Sequence, residues 1–262
     1  MLPGRDRILK KRYERYVAIG DSTSEGLDDP DGRGGYRGWA NRLAERIAAE
    51  QGSLLYANLA IRGRNTRQIR EEQLAPALAM RPDLVTVSAG TNDVLGRRFD
   101  AGVYAADLLS ILEALVGSGA TAVIFTLPDL RQVMPFAKLL GNRVLELNVA
   151  IRDCCARSGA VLCDLAAYPV AGDPRLWADD RLHANSVGHA RVAEALAYFL
   201  GLHDDPSWSE PLPARPRTTV ADLAKAEWAW TRKHLLPWIW RHMQGKSSGD
   251  GITPKRPTLM PV

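Results

Sequence analysis

Residues 16–26, YVAIGDSTSEG, run an apolar stretch straight into glycine, aspartate and serine. Residues 16–20 are apolar almost throughout, the mark of a strand covered on both faces. Four further runs share that character: LLYANLA (54–60), DLVTVSA (83–89), TAVIFTL (121–127) and AVLCDL (160–165). Helical patterns fall between them and after the last, over 38–51, 66–79, 101–117, 142–158 and 186–200. In GWANRLAERIAAEQG, Trp39, Leu43 and Ile47 recur at helical spacing and Gly52 closes the helix. Five β–α units in alternation predict a three-layer α/β/α domain over residues 16–201. Its sheet is a flavodoxin-like set of five parallel strands with helices on both faces.

The flanks differ from this body. Residues 1–15 read as a basic arm. Beyond residue 201 lie eight of the 16 prolines and five of the seven tryptophans, which marks residues 202–262 as an extension packed on the body. DDPSWSEPLPARPRTT reads as an extended linker or strap. VADLAKAEWAWTRKHLLPWIWRHMQG reads as an amphipathic helix bent near Pro237, with Trp228, Trp230, Trp238 and Trp240 needing cover. The body, a membrane surface touched weakly by this helix, or a lid role over the site are the readings of that cover. GKSSGDGITPKRPTLMPV reads as a flexible or strapped end.

The formal charge of +4 divides into +4 over residues 1–16, −3 over 17–201 and +3 over 202–262. A slightly acidic body argues against a nucleic-acid partner. Cys154, Cys155 and Cys163, an odd number with two adjacent, fit neither a disulfide framework nor paired metal-ligand spacing. They point to a reducing compartment, and with no apolar run of signal-peptide or membrane-spanning length the expectation is cytoplasmic.

Ligands of an open parallel sheet sit at the carboxyl ends of its strands, and polar stretches fall there in turn. The first strand ends in Gly20, Asp21 and Ser22; the second is followed by IRGRN with Gly63; the third runs into Gly90, Asn92 and Asp93. After the fifth, ADDRLHANSVGH sets Asp180 three residues before His183. This set supplies what acyl transfer needs. A serine hydroxyl requires an adjacent base, His183, and an acid that fixes the imidazole tautomer, Asp180. Backbone N–H groups of Ser22 and Gly63 with the Asn92 amide can form an oxyanion hole. Gly63 suits close approach because it carries no Cβ. Taken singly, each piece has a plainer reading: Gly-Asp-Ser as a turn or cap, the Asp180–His183 pair as metal ligands, Asn185 or Ser186 as a helix cap.

The ordered set resembles the SGNH (GDSL-type) hydrolase family, whose serine, glycine, asparagine and histidine blocks follow this order over residues 16–200. The resemblance places the nucleophile on Ser22, the glycine block on Gly63, the Gly-x-Asn-Asp block on Gly90 to Asp93 and the Asp-x-x-His block on Asp180 and His183. Thr23 stands where the family's leucine does, a position without a chemical role. The implied activity is a serine esterase acting through an acyl-Ser22 intermediate on a lipid, O-acetyl sugar or small ester, with no cofactor and no metal. Acyl transfer to another acceptor, or a non-catalytic binding protein with a tryptophan-rich interaction helix, are the alternatives. No G-x-S-x-G surrounds Ser22, GKSSG (245–249) lacks the first glycine of a phosphate loop, and no G-x-G-x-x-G or H-E-x-x-H is present. His189 is the competing base but lacks an acid three residues before it.

Overall fold

A computed structural model of the chain describes residues 11–129, 131, 133, 140, 142–214, 228–235 and 248–262. Five parallel strands form the body of the sheet: β1 (Arg15–Gly20), β2 (Leu55–Asn58), β3 (Leu84–Ser88), β4 (Thr121–Phe125) and β5 (Val161–Cys163). Their spatial order is β2-β1-β3-β4-β5. The chain therefore starts mid-sheet, fills one edge, then crosses to fill the other, and the crossover direction reverses between β1 and β3.

The helices are α1 (Ser22–Glu25), α2 (Gly38–Gln51), α3 (Thr66–Ala79), α4 (Thr91–Leu95), α5 (Ala101–Gly117), α6 (Arg143–Ser158) and α7 (Ser186–Phe199). Alternation along the strands sorts them onto two faces. Val17 and Ile19 of β1 pack with Ile69, Leu108, Ile111 and Ile151 of α3, α5 and α6. Tyr16 and Ala18 pack with Trp39, Leu43, Ile47 and Leu196 of α2 and α7. Each buried Leu or Ile contributes about 1.5–3 kcal/mol, so both faces hold the sheet strongly.

The sheet departs from the expected five strands. Within the stretch expected to be a flexible or strapped end, a sixth strand, β6 (Arg256–Pro261), runs antiparallel to β2 at the sheet edge. Pro257 and Pro261 speak against a strand in the sequence, yet proline is tolerated on an edge, where a lost N–H breaks no interior ladder. Arg256 adds hold: its Nε donates to Tyr56 O at 2.8 Å and its guanidinium lies 5.3 Å from the Tyr56 ring centroid.

Residues 202–214 run over α7 as a strap. Trp208 is buried edge-on against Tyr168 at 4.6 Å, and Arg191 Nη1 donates to Trp208 O at 2.8 Å. Of the expected tail helix, residues 228–235 are helical, ending in a π-helical turn over Thr231–Leu235. Trp230 is buried, whereas Trp228 is 65% exposed. Pro237, Trp238 and Trp240 lie outside the described residues, as do residues 1–10 of the basic arm. Among the described residues no helix is long and apolar enough to cross a membrane.

Candidate active site

β1 delivers the serine through a constriction. Gly20 has φ +146, and a Cβ there would lie 2.4 Å from Ser88 O of β3. Only glycine lets the two strands approach so closely at the point where the sheet reverses. Asp21 then caps α1, its Oδ1 accepting from Thr23 N at 3.0 Å. Ser22 becomes the first residue of that helix, with a backbone N–H that helix geometry leaves without an internal acceptor. Its Oγ lies 2.8 Å from His183 Nε2, and His183 Nδ1 lies 2.6 Å from Asp180 Oδ2.

A small closed loop presents Asp180 and His183 together. A bridge between Trp177 and Ala184 pinches its base, and Ala178 N donates to His183 O at 2.8 Å. Asn185 caps α7 through Val187 N and Gly188 N, while its Nδ2 donates to Arg175 O and Trp177 O. Inside the loop, Asp180 Oδ1 accepts from Leu182 N at 2.9 Å and His183 N at 3.0 Å. Burial works against its charge, but His183 and these two amides overcome it and hold Asp180 below the usual carboxylate range.

A second carboxylate, absent from the sequence-level set, reaches the same nitrogen. Asp28 Oδ2 stands 3.4 Å from His183 Nδ1. Asp28 adopts φ 64, and Asp29 beside it is locked by Gly38 N and the Arg42 guanidinium. Burial pushes the imidazole pKa down, but hydrogen bonds to Asp180 and Asp28 more than reverse this and raise it to about 9. Asp28, Asp180 and His183 are also the group whose ligand atoms could hold a cation among the described residues. A cation there would take the nitrogen that the two carboxylates hold.

Three further contacts fix the loop after β2. Glu25 of α1 accepts from Arg62 N at 2.9 Å and pairs with the Arg62 guanidinium. Asn92 Nδ2 donates to Arg64 O at 3.0 Å, and Asp93 Oδ2 accepts from Thr66 N at 3.0 Å. Gly63, at φ 77, is therefore bracketed by residues tied to the serine helix and to the block after β3. Asn92 Nδ2 also donates to Asp21 Oδ2, at 3.2 Å. Asp21 is fully buried, and burial raises its pKa to about 6 despite the Thr23 amide.

His189 takes a different part. Its Nδ1 accepts from Trp39 N at 3.1 Å and its Nε2 lies 2.9 Å from Leu27 O. With both nitrogens used and burial holding its pKa below the ordinary value, it ties α2 and α7 to the α1 loop. Asp28 and the Glu25–Arg62 pair carry no spacing signal in the sequence.

Beside the serine lies a cavity of about 90 Å³. Thr23, Thr91 and Leu182 line it, each one residue from Ser22, Asn92 or His183. Its depth is apolar, with Phe125, Leu165, Val170, Leu176 and the strap's Trp208 among the walls.

The family model of the GDSL-like lipase/acylhydrolase family matches residues 18–191. No curated protein sequence matches the chain. Among solved structures, a psychrotrophic esterase from Pseudoalteromonas sp. is 18% identical with a TM-score of 0.56, over 70% of this chain and 94% of that one. An α/β hydrolase from the metagenome of Lake Arreo is 20% identical with a TM-score of 0.61, over 72% and 95%. A catalytic variant of an acetylxylan esterase from Geobacillus stearothermophilus is 19% identical with a TM-score of 0.60, over 75% and 96%.

Proposed function

Since the chain belongs to the GDSL-like lipase/acylhydrolase family and is an ester hydrolase, we propose that it cleaves carboxylic esters through an acyl-Ser22 intermediate. The observation that carries the reading is the unbroken contact from Ser22 Oγ through His183 to Asp180, at 2.8 and 2.6 Å. Neutral His183 takes the hydroxyl proton as Oγ attacks the ester carbonyl. Asp180 then faces the imidazolium, and His183 returns the proton to the departing alkoxide. Water repeats the sequence on the acyl-enzyme. Ser22 N–H, Gly63 N–H and Asn92 Nδ2 are the donors for the oxyanion. The Asn92 bond to Asp21, the longer of its two at 3.2 Å, is the one an oxyanion would draw on.

The cavity beside Thr23 and Leu182 takes the acyl chain in this reading. Its apolar walls favour an acyl group longer than acetyl, and each methylene buried there contributes about 0.8 kcal/mol, roughly fourfold in kcat/KM. The alcohol leaves to solvent once the acyl-enzyme has formed. No metal or organic cofactor takes part, and the free, buried Cys154, Cys155 and Cys163 support a cytoplasmic setting.

A fluorophosphonate probe should label Ser22, as located by peptide mapping, and Ser22→Ala should abolish labelling. In the same preparation, kcat/KM on p-nitrophenyl esters should climb from acetate toward medium chains. Labelling that persists in Ser22→Ala overturns the nucleophile. A series that peaks at acetate overturns the acyl pocket.

A further inference from the structure

We propose that Trp230, which lies outside the family-matched span, is a positioning residue that clasps the Asp180–His183 loop and holds the base in register. The inference rests on the Ser22–His183–Asp180 reading. Arg181 at the loop's tip sits at φ 61, a left-handed conformation unfavourable for a residue with a Cβ. Trp230 supplies an outside support at two adjacent residues. Its Nε1 donates to Asp180 O at 3.2 Å, and the Arg181 guanidinium lies 4.9 Å from its ring centroid. Lys233, one turn on, stands 3.4 Å from Asp179 Oδ2, an exposed pair that adds little by itself.

The contrast along the segment is informative. Trp230 is 8% exposed while Trp228 is 65% exposed, so the residue buried is the one aimed at the loop. Pinning the Asp180 carbonyl limits rotation of that residue about its backbone. Its carboxylate is then left where it can accept from Leu182 N, His183 N and His183 Nδ1 together.

The groups facing His183 are Asp180 and Asp28 at Nδ1 and Ser22 at Nε2, with Asp21 and His189 acting through space. Loss of the indole removes none of these. It releases the loop and the Arg181 guanidinium that the ring covers, and both changes weaken the hold of carboxylate on imidazolium.

The test uses the full chain with Trp230→Ala and Trp230→Phe, the second keeping a ring for Arg181 but no N–H. Titration of the His183 ring by NMR is read beside the kcat and KM of ester hydrolysis. In Trp230→Ala the ring pKa should fall by about one unit. Its kcat, read above pH 9 where the ring is neutral in both proteins, should drop between about tenfold and a hundredfold, with KM changed less than about threefold. Trp230→Phe should shift both in the same direction by a smaller amount. An unchanged His183 titration and kcat in folded Trp230→Ala, with only a lower melting temperature, would overturn the clasp. Should the alanine variant fail to fold by circular dichroism, an unchanged folded Trp230→Phe overturns it equally. If the wild-type chain hydrolyses no ester the proposed function fails, and the ring titration still decides whether Trp230 sets the base.

Discussion

Replacing Asp28 by Asn isolates the second carboxylate at the imidazole. Its Oδ2 lies 3.4 Å from His183 Nδ1. A unit-charge pair at that separation is worth about 1.2 kcal/mol in water and about 5 kcal/mol at an effective dielectric of 20. The Asp28 side chain is 44% exposed, so solvent screening keeps the value near the lower limit, about 1–2 kcal/mol or roughly one pKa unit. The raised imidazole pKa of about 9 means that activity grows with pH until the ring is neutral. The variant should move that limb of kcat/KM down to about 8. At pH 7 the neutral fraction would rise from about 1% to about 10%. Reduced basicity takes back part of this roughly tenfold gain, leaving a net increase of about threefold to fivefold at pH 7 and none above pH 9. Asp180→Asn is the control: it removes the partner at 2.6 Å that sets the tautomer, and kcat should fall by about 10⁴ with no compensating gain at any pH. The assay is the pH dependence of kcat/KM on a soluble p-nitrophenyl ester. A limb that stays in place in Asp28→Asn, or a loss matching that of Asp180→Asn, refutes the reasoning.

Two further predictions concern the strand end that carries Ser22. Burial raises Asp21 from 3.8 to about 6, so the fold holds its proton more tightly than the unfolded chain. That stabilisation is complete below pH 3.8 and is lost as pH rises through about 6; the gap amounts to about 3 kcal/mol. Asp21→Asn keeps a cap acceptor without the charge, and its melting temperature relative to wild type should rise between pH 4 and pH 7 and then level off. A relative stability that falls over the same range would contradict the assignment. Gly20→Ala puts a Cβ 2.4 Å from Ser88 O and should cost at least about 3 kcal/mol in urea unfolding, because backbone must move on both sides of the switch point. A loss below about 1 kcal/mol would mean that β1 and β3 do not approach as closely as described.

The helices were legible from sequence nearly to the residue, because their signals are local. Residues 38–51, 66–79 and 101–117 match the observed helices end for end, and Gly52 and Asn185 cap where their chemistry suggests. Strand interiors announced themselves through unbroken apolar character, and the parallel core followed from strict alternation. The chemical blocks were legible too: Ser22, Gly63, Asn92, Asp180 and His183 each follow a strand end, where an open sheet collects ligands. The far ends of contacts escaped this kind of reading. Nothing in LDDPDG marks Asp28 as a neighbour of an imidazole some 155 positions later in the chain. His189 and His183 differ in sequence context only by an acid three residues back, and it took packing to show His189 between Trp39 N and Leu27 O. β6 was hidden by its prolines, which are compatible with a strand only because β2 offers an unfilled edge. Trp230 reads in sequence as one tryptophan of four, and its place on Asp180 depends on where the tail crosses the surface. Backbone propensity and periodicity act over a few residues and are written in order along the chain. A charge or a donor brought across the fold acts through space, so tertiary structure alone selects its partner.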